Sequence, residues 1–215
     1  MDALFDRPID DSGWARLRRH GRLWRRFLML AVVREAQFRA HFVATVVVGL
    51  AQVVVALIPI LLIFNFTSAV HGWSQADLIV LLGIHQLVSA LLAIAIAPNV
   101  TRMTEYITHG DLDLMLIRPV DAQFYVTFRW LQPAEAFNVA IGIGLVVVGL
   151  ARAGEMPGLV AIGQGVLLLL CGVILLTCAW SAIAFCIFWV SSLHLGMTIF
   201  YDVMDAGRYP VVFYP

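Results

Sequence analysis

Long apolar runs alternate with short polar ones along this chain. Residues 42–66 and 78–97 contain no charged side chain, and 133–151 contains only Glu135, near its start. The last run, Met156 to Tyr201, is 46 residues without a charge. A hydrocarbon layer about 30 Å thick is crossed by about 20 helical residues. A single straight helix over 156–201 would measure about 69 Å, so the chain is expected to turn back inside it. Trp180-Ser181 is the expected turn, giving spans at 159–179 and 182–201. A turn at Ser191-Ser192 and His194 would instead leave a partial, re-entrant second arm. Gln52, Pro59 and Asn65 interrupt the first span; Pro59 is expected to kink it, and the freed carbonyl then needs a partner in the bundle. Pro133 suits a first helical turn. The pattern predicts an all-α polytopic transmembrane helix bundle of about five spans (42–66, 78–97, 133–151, 159–179 and 182–201). A leader of residues 1–40 precedes this transmembrane domain (41–215), and a polar loop, 98–130, divides it.

From Trp14 to Phe38 the period is helical. Trp14, Leu17, Gly21, Trp24 and Leu28 recur at steps of three and four, while Arg16, Arg18, Arg19, Arg22, Arg25 and Arg26 fill most of the remaining surface. An apolar stripe opposite an arginine face suits a helix lying in the membrane interface; a basic helix docked on protein is the alternative.

Composition sharpens this. Of the 215 residues 61% are hydrophobic and 13% charged, and mean hydropathy is +0.90. A soluble core could not hide that much apolar surface. Formal net charge is zero, but its distribution is lopsided: nine of the fourteen basic residues lie in the first 39 positions, and three more in 98–130. By the positive-inside tendency the N-terminus and the 98–130 loop face the cytoplasm. About 40 polar and basic residues precede the first long run, which does not fit a secretory signal.

All fourteen basic residues are arginine. A P-loop needs a lysine, so the chain has no conventional ATP site, and it lacks HExxH, GxSxG and GxGxxG motifs. No carboxylate lies mid-span, where an ion-coupled site would show one. The polar groups expected to line a pathway are Gln52, His85, Gln86 and Asn138, with Gln164 a further mid-span amide. For His85 the alternative is a neutral ring bonded to a neighbouring helix. Cys171, Cys178 and Cys186 are expected to pack on one helix face; nothing suggests a metal site or disulfide framework.

The most informative segment is Glu105–Val126, EYITHGDLDLMLIRPVDAQFYV. Gly110 breaks a helix continuing from the second span. Asp111 caps a new one with acids in its first turn. Leu112, Met115 and Leu116 form its apolar face, and Arg118-Pro119 ends it. Two turns of helix do not stand alone in water, so the segment docks either on the membrane interface or on a cytoplasmic partner. Glu105, His109, Asp111 and Asp113 could be misread as the reactive cluster of a membrane-embedded enzyme; acids in a first turn explain Asp111 and Asp113 more simply.

GDLDLMLIRPV, two spans after an arginine-rich N-terminal helix, resembles the G-x-L-D-x-x-L-x-R-P signature of type-2 ATP-binding-cassette exporter permeases, closest to the six-span subgroup that often works as pairs. GRYPVVFYP (Gly207–Pro215) resembles that subgroup's Y-P-x-x-I/F-Y-P segment. The resemblance implies a bacterial inner-membrane permease subunit of an ATP-driven exporter. The amphipathic helix would be an interfacial elbow. Gly110, Leu112, Asp113, Leu116, Arg118 and Pro119 would form or shape a coupling helix seated on the ATPase. The implied partners are a cytoplasmic ATPase dimer, a second permease of the same or related sequence, and membrane lipids, with no nucleic acid. The chain would hold no cofactor, ATP and magnesium belonging to the ATPase. Family members continue past the Y-P segment into a final span; this sequence stops at Pro215, so it is expected either to be truncated or to lack that span. An ATP-independent secondary transporter or channel is the alternative function.

Overall fold

The computed structural model describes residues 13–110, 125, 127–154, 157–186 and 202–210. Among the described residues six long helices follow one another. Helix α1 is Gly13–Gln37, α2 Arg39–Phe64, α3 Gln75–Ala95, α4 Ala97–His109, α5 Ala136–Ala153, entered through a 3-10 turn at Pro133–Glu135, and α6 Leu159–Cys186. Among the described residues four helical segments are long and apolar enough to cross a membrane: α2, α3, 133–153 and α6. The protein is thus an all-α, polytopic bundle.

Phe38 leaves the helical region and separates α1 from α2. The C-terminal half of α1 docks on protein: Ala31 is buried, and the Phe27 ring meets Tyr125 edge-on at 5.8 Å. Trp24, Met29, Leu30 and Val33 stay exposed, an apolar surface suited to lipid. The docked reading thus describes the face that carries Ala31 and Phe27.

A tight hairpin joins α2 to α3. His71 and Gly72 both take positive φ, 50° and 83°, the backbone of a two-residue primed turn, and Val70 and Trp73 exchange both backbone bonds at 3.0 Å. Ser74 then opens α3 with a capping box: the Asp77 N–H donates to Ser74 Oγ, and the Ser74 N–H to Asp77 Oδ2. This reciprocal cap satisfies donors that the helix start leaves orphaned and gives the isolated Asp77 a structural task.

Helices α3 and α5 run antiparallel and nearly touch backbones. A Cβ on Gly83 would lie 2.8 Å from the Val146 backbone nitrogen, one on Gly142 3.0 Å from that of Leu87, and one on Gly149 2.9 Å from that of Val80. Small residues at the contact allow this approach, which serves packing in lipid, where apolar burial between helices gains little.

Two buried clusters occupy opposite ends of the bundle. Ala56 and Ile60 of α2 meet Leu78 and Leu82 of α3 near the hairpin. Leu92, Val100, Trp180 and Ala184 form the other, near the end that carries α1. That second cluster overturns one expectation. The chain does not turn at Trp180-Ser181; α6 runs unbroken from Leu159 to Cys186. Trp180 and Ala184 are each only 1% exposed, and their burial against α3 and α4 carries the helix through the site of the expected turn. The span expected at 159–179 is therefore longer, and one expected at 182–201 cannot begin at 182. Residues 187–201, including the alternative turn at Ser191-Ser192, lie outside the described residues. The cysteines also differ from expectation: Cys171, Cys178 and Cys186 are exposed, not packed.

Candidate functional site: a polar groove at membrane depth

Three of the amides singled out from sequence converge with the imidazole; Gln164 does not line the same cavity. Gln52, His85, Gln86 and Asn138 all line one cavity of about 510 Å³. Helix periodicity explains why. On α2, His41, Thr45, Gly49 and Gln52 follow one another at steps of four, four and three, and so share a face. On α3, His85, Gln86 and Ser89 make the opposing wall. The 3-10 turn and first turn of α5 contribute Glu135 and Asn138.

The remaining wall comes from residues 202–210. Asp205 and Arg208 line the groove and pair with each other at 2.8 Å. This segment is pinned at two heights. His85 Nε2 donates to the Met204 carbonyl at 3.0 Å, which is the bonded-histidine reading foreseen for it, although the ring also lines the cavity. Tyr209 donates its hydroxyl to the Ala56 carbonyl at 3.3 Å. Pro59 lacks the N–H that the Val55 carbonyl, four residues earlier, would take. The tyrosine thus supplies a donor one residue from that gap.

Asn138 is 7% exposed. Its Nδ2 donates to Glu135 Oε2 at 2.7 Å, while Oδ1 is buried without a partner among the described residues and lies directly over Gly49. His41 and Gln52 are exposed, so α2's polar face is left half uncovered by the described residues.

Sequence pattern did not single out Asp205 and Arg208. An acid and an arginine three residues apart after a long apolar run were the available signal. It also gave no weight to Asn99, which is 3% exposed. Asn99 accepts from the Trp130 N–H at 2.9 Å and donates to the Trp130 carbonyl at 2.7 Å, tying the return of the polar loop to α4. Of the residues expected to couple to an ATPase, Gly110 caps α4 with φ 75°, as its predicted helix-breaking role requires. Leu112, Asp113, Leu116, Arg118 and Pro119 lie outside the described residues. Glu105 pairs with Arg102 at 3.4 Å, and His109 Nδ1 donates to the Glu105 carbonyl at 2.9 Å, so both take part in α4's own bonding. Among the described residues no group of three His, Cys, Asp or Glu is placed to hold a metal ion.

A bundle of apolar helices enclosing a half-open polar groove is the architecture of a protein that passes something across a membrane. The family model described as "ABC-2 family transporter protein" matches residues 50–215, and the chain belongs to that family. It is a membrane permease of an ABC transporter. No match was found among curated proteins or among solved structures.

Proposed function

We propose that this chain is one of two permease subunits of an ATP-driven exporter in the bacterial inner membrane, and that the groove is its half of the pathway. The observation that carries this reading is the uncovered polar face. Gln52 and His41 on α2, and the Asp205–Arg208 pair, line a cavity that the described residues do not close. Ionisable and amide groups facing hydrocarbon are costly, and in membrane proteins they face a bundle interior or a water-filled path. A second permease set against α2 supplies that cover.

The engine lies elsewhere, on a cytoplasmic ATPase that holds ATP and magnesium, because a chain without lysine has no conventional P-loop. The 110–119 segment follows directly from α4. Val100 on α4 shares a buried cluster with Leu92 of α3 and Trp180 of α6, so a push delivered at 110–119 would reach α3 and α6 as a largely rigid displacement. Arginine asymmetry supports a cytoplasmic N-terminus.

The test is co-purification. The chain should bring down a cytoplasmic ATPase, and the double change Asp113→Lys, Arg118→Glu should release it while leaving the permease folded. Undiminished association would discard the coupling assignment, and substrate transport by the purified chain without ATP would point to a secondary transporter or channel. In a background with the three α6 cysteines replaced by alanine, Gln52→Cys should cross-link to a second permease.

A further inference from the structure

A second cavity, of about 650 Å³, lies where α1 meets α2 and α3 meets α4. Arg34 and Arg102 stand on its wall, with Phe38, Ala93, Ala97 and Pro98 supplying apolar lining. Both helix junctions fall at the ends of membrane-length helices, α2 and α3, so the pocket lies at the level where hydrocarbon gives way to headgroups.

The positive charge here is concentrated around one side chain. The guanidinium carbons of Arg34, Arg102 and Arg129 lie 4.9, 4.5 and 5.1 Å from the Trp130 ring centroid. Trp130 is itself fixed: Nε1 donates to the Tyr106 hydroxyl at 2.8 Å, and its backbone is held by Asn99. Arg34 donates to the Leu131 carbonyl at 2.7 Å. Stacking on an indole and bonding to a carbonyl orient these cations without neutralising them. Two carboxylates also line the cavity. Glu105 answers Arg102 at 3.4 Å, and Glu35 is 3.1 Å from His41. The lining itself balances two guanidiniums against two carboxylates; Arg129, behind the lining on the same indole, adds a third cation, so the described groups around Trp130 carry an excess positive charge. Guanidinium presents five N–H donors, more than these contacts consume, in a fork that matches a phosphate.

We propose that this pocket seats one anionic glycerophospholipid, its phosphate on Arg34 and Arg102 and an acyl chain along Phe38, Ala93 and Ala97. The exposed apolar side chains of α1 (Met29, Leu30 and Val33) extend the hydrocarbon surface beside it. A bound lipid would tie α1 to the α3–α4 junction. This inference does not depend on the transport reading.

Native mass spectrometry of the full-length permease, purified with the partners it retains, tests it. Phosphatidylglycerol should remain bound at about one per chain, at collision energies that strip phosphatidylcholine of the same chains. Arg102→Gln, a half-exposed position, should lower phosphatidylglycerol retention about tenfold, the size expected for one charge-assisted bond. Arg102→Lys should keep part of it, and Glu105→Gln, which removes a competing carboxylate, should raise it. That opposite sign separates a headgroup site from a folding defect. Millimolar inorganic phosphate should not displace the lipid; displacement would mean a free-anion site. Equal retention of the two lipids by the parent protein, or no change on Arg102→Gln, would overturn the proposal.

Discussion

Glycines bring α5 against α3 and bring α2 against α5, yet what lies over them differs. Along α3–α5 the glycines sit against backbone: Gly83, Gly142 and Gly149 each face a nitrogen and a branched side chain of the other helix, at successive levels. At the α2–α5 crossing one glycine, Gly49, lies under the polar end of Asn138, whose Oδ1 has no donor among the described residues. The first contact is a dry, continuous seam with nothing to gain from opening. The second holds a half-satisfied amide, which costs about 1–3 kcal/mol while buried and recovers it when water arrives. If the groove opens and closes, the pair α3–α5 is the rigid body, and the edge facing α2 is where movement is cheapest.

Four substitutions probe that contrast. The largest effect is expected from Gly149→Val. Its Cβ alone would fall 2.6 Å from Val80 Cγ2 and 2.9 Å from the Val80 nitrogen, and neither helix can yield without separating. A loss of about 3 kcal/mol or more is expected for such overpacking, read as loss of the monodisperse peak in detergent; a variant that purifies and melts like the parent would refute the seam. Gly49→Ala should cost less, about 1 kcal/mol, because it meets the far end of a side chain. Adding Asn138→Ala should recover much of that loss, and additive losses would show that the two do not compete for the same space. The smallest effect is expected from Tyr209→Phe. It removes one long hydrogen bond, worth about 0.5–1 kcal/mol, and a melting shift within that range would place α2's hold on residues 202–210 below the strength of the seam.

Much of this architecture is legible in the sequence. Apolar run length located α2, α3 and α5. Pro133 marked a helix entry, and Gly110 marked the end of α4 through its positive φ. Mid-span polar groups are few, and four of them, Gln52, His85, Gln86 and Asn138, share one cavity. What escaped has a common cause: it depends on residues far away in sequence. The continuation of α6 through Ser181 rests on Trp180 and Ala184 packing against Leu92 and Val100, which no local signal encodes. Asn99 looks like one polar residue after a proline until Trp130, 31 residues on, fills its bonding positions. The seam glycines carry no pattern stronger than ordinary helix glycines until the two helices are laid side by side.

The length of α6 has a mechanical consequence. Twenty-eight residues make a rod about 42 Å long, against a hydrocarbon layer about 30 Å thick. Such a helix leans or carries its final turns into the headgroups, and those turns hold Trp180 and Ala184 against the helices that lead to the polar loop. Membrane thickness therefore acts on this protein as a lever: a thinner bilayer favours more lean in α6, a thicker one less, and either change bears on the joint between α6 and α4.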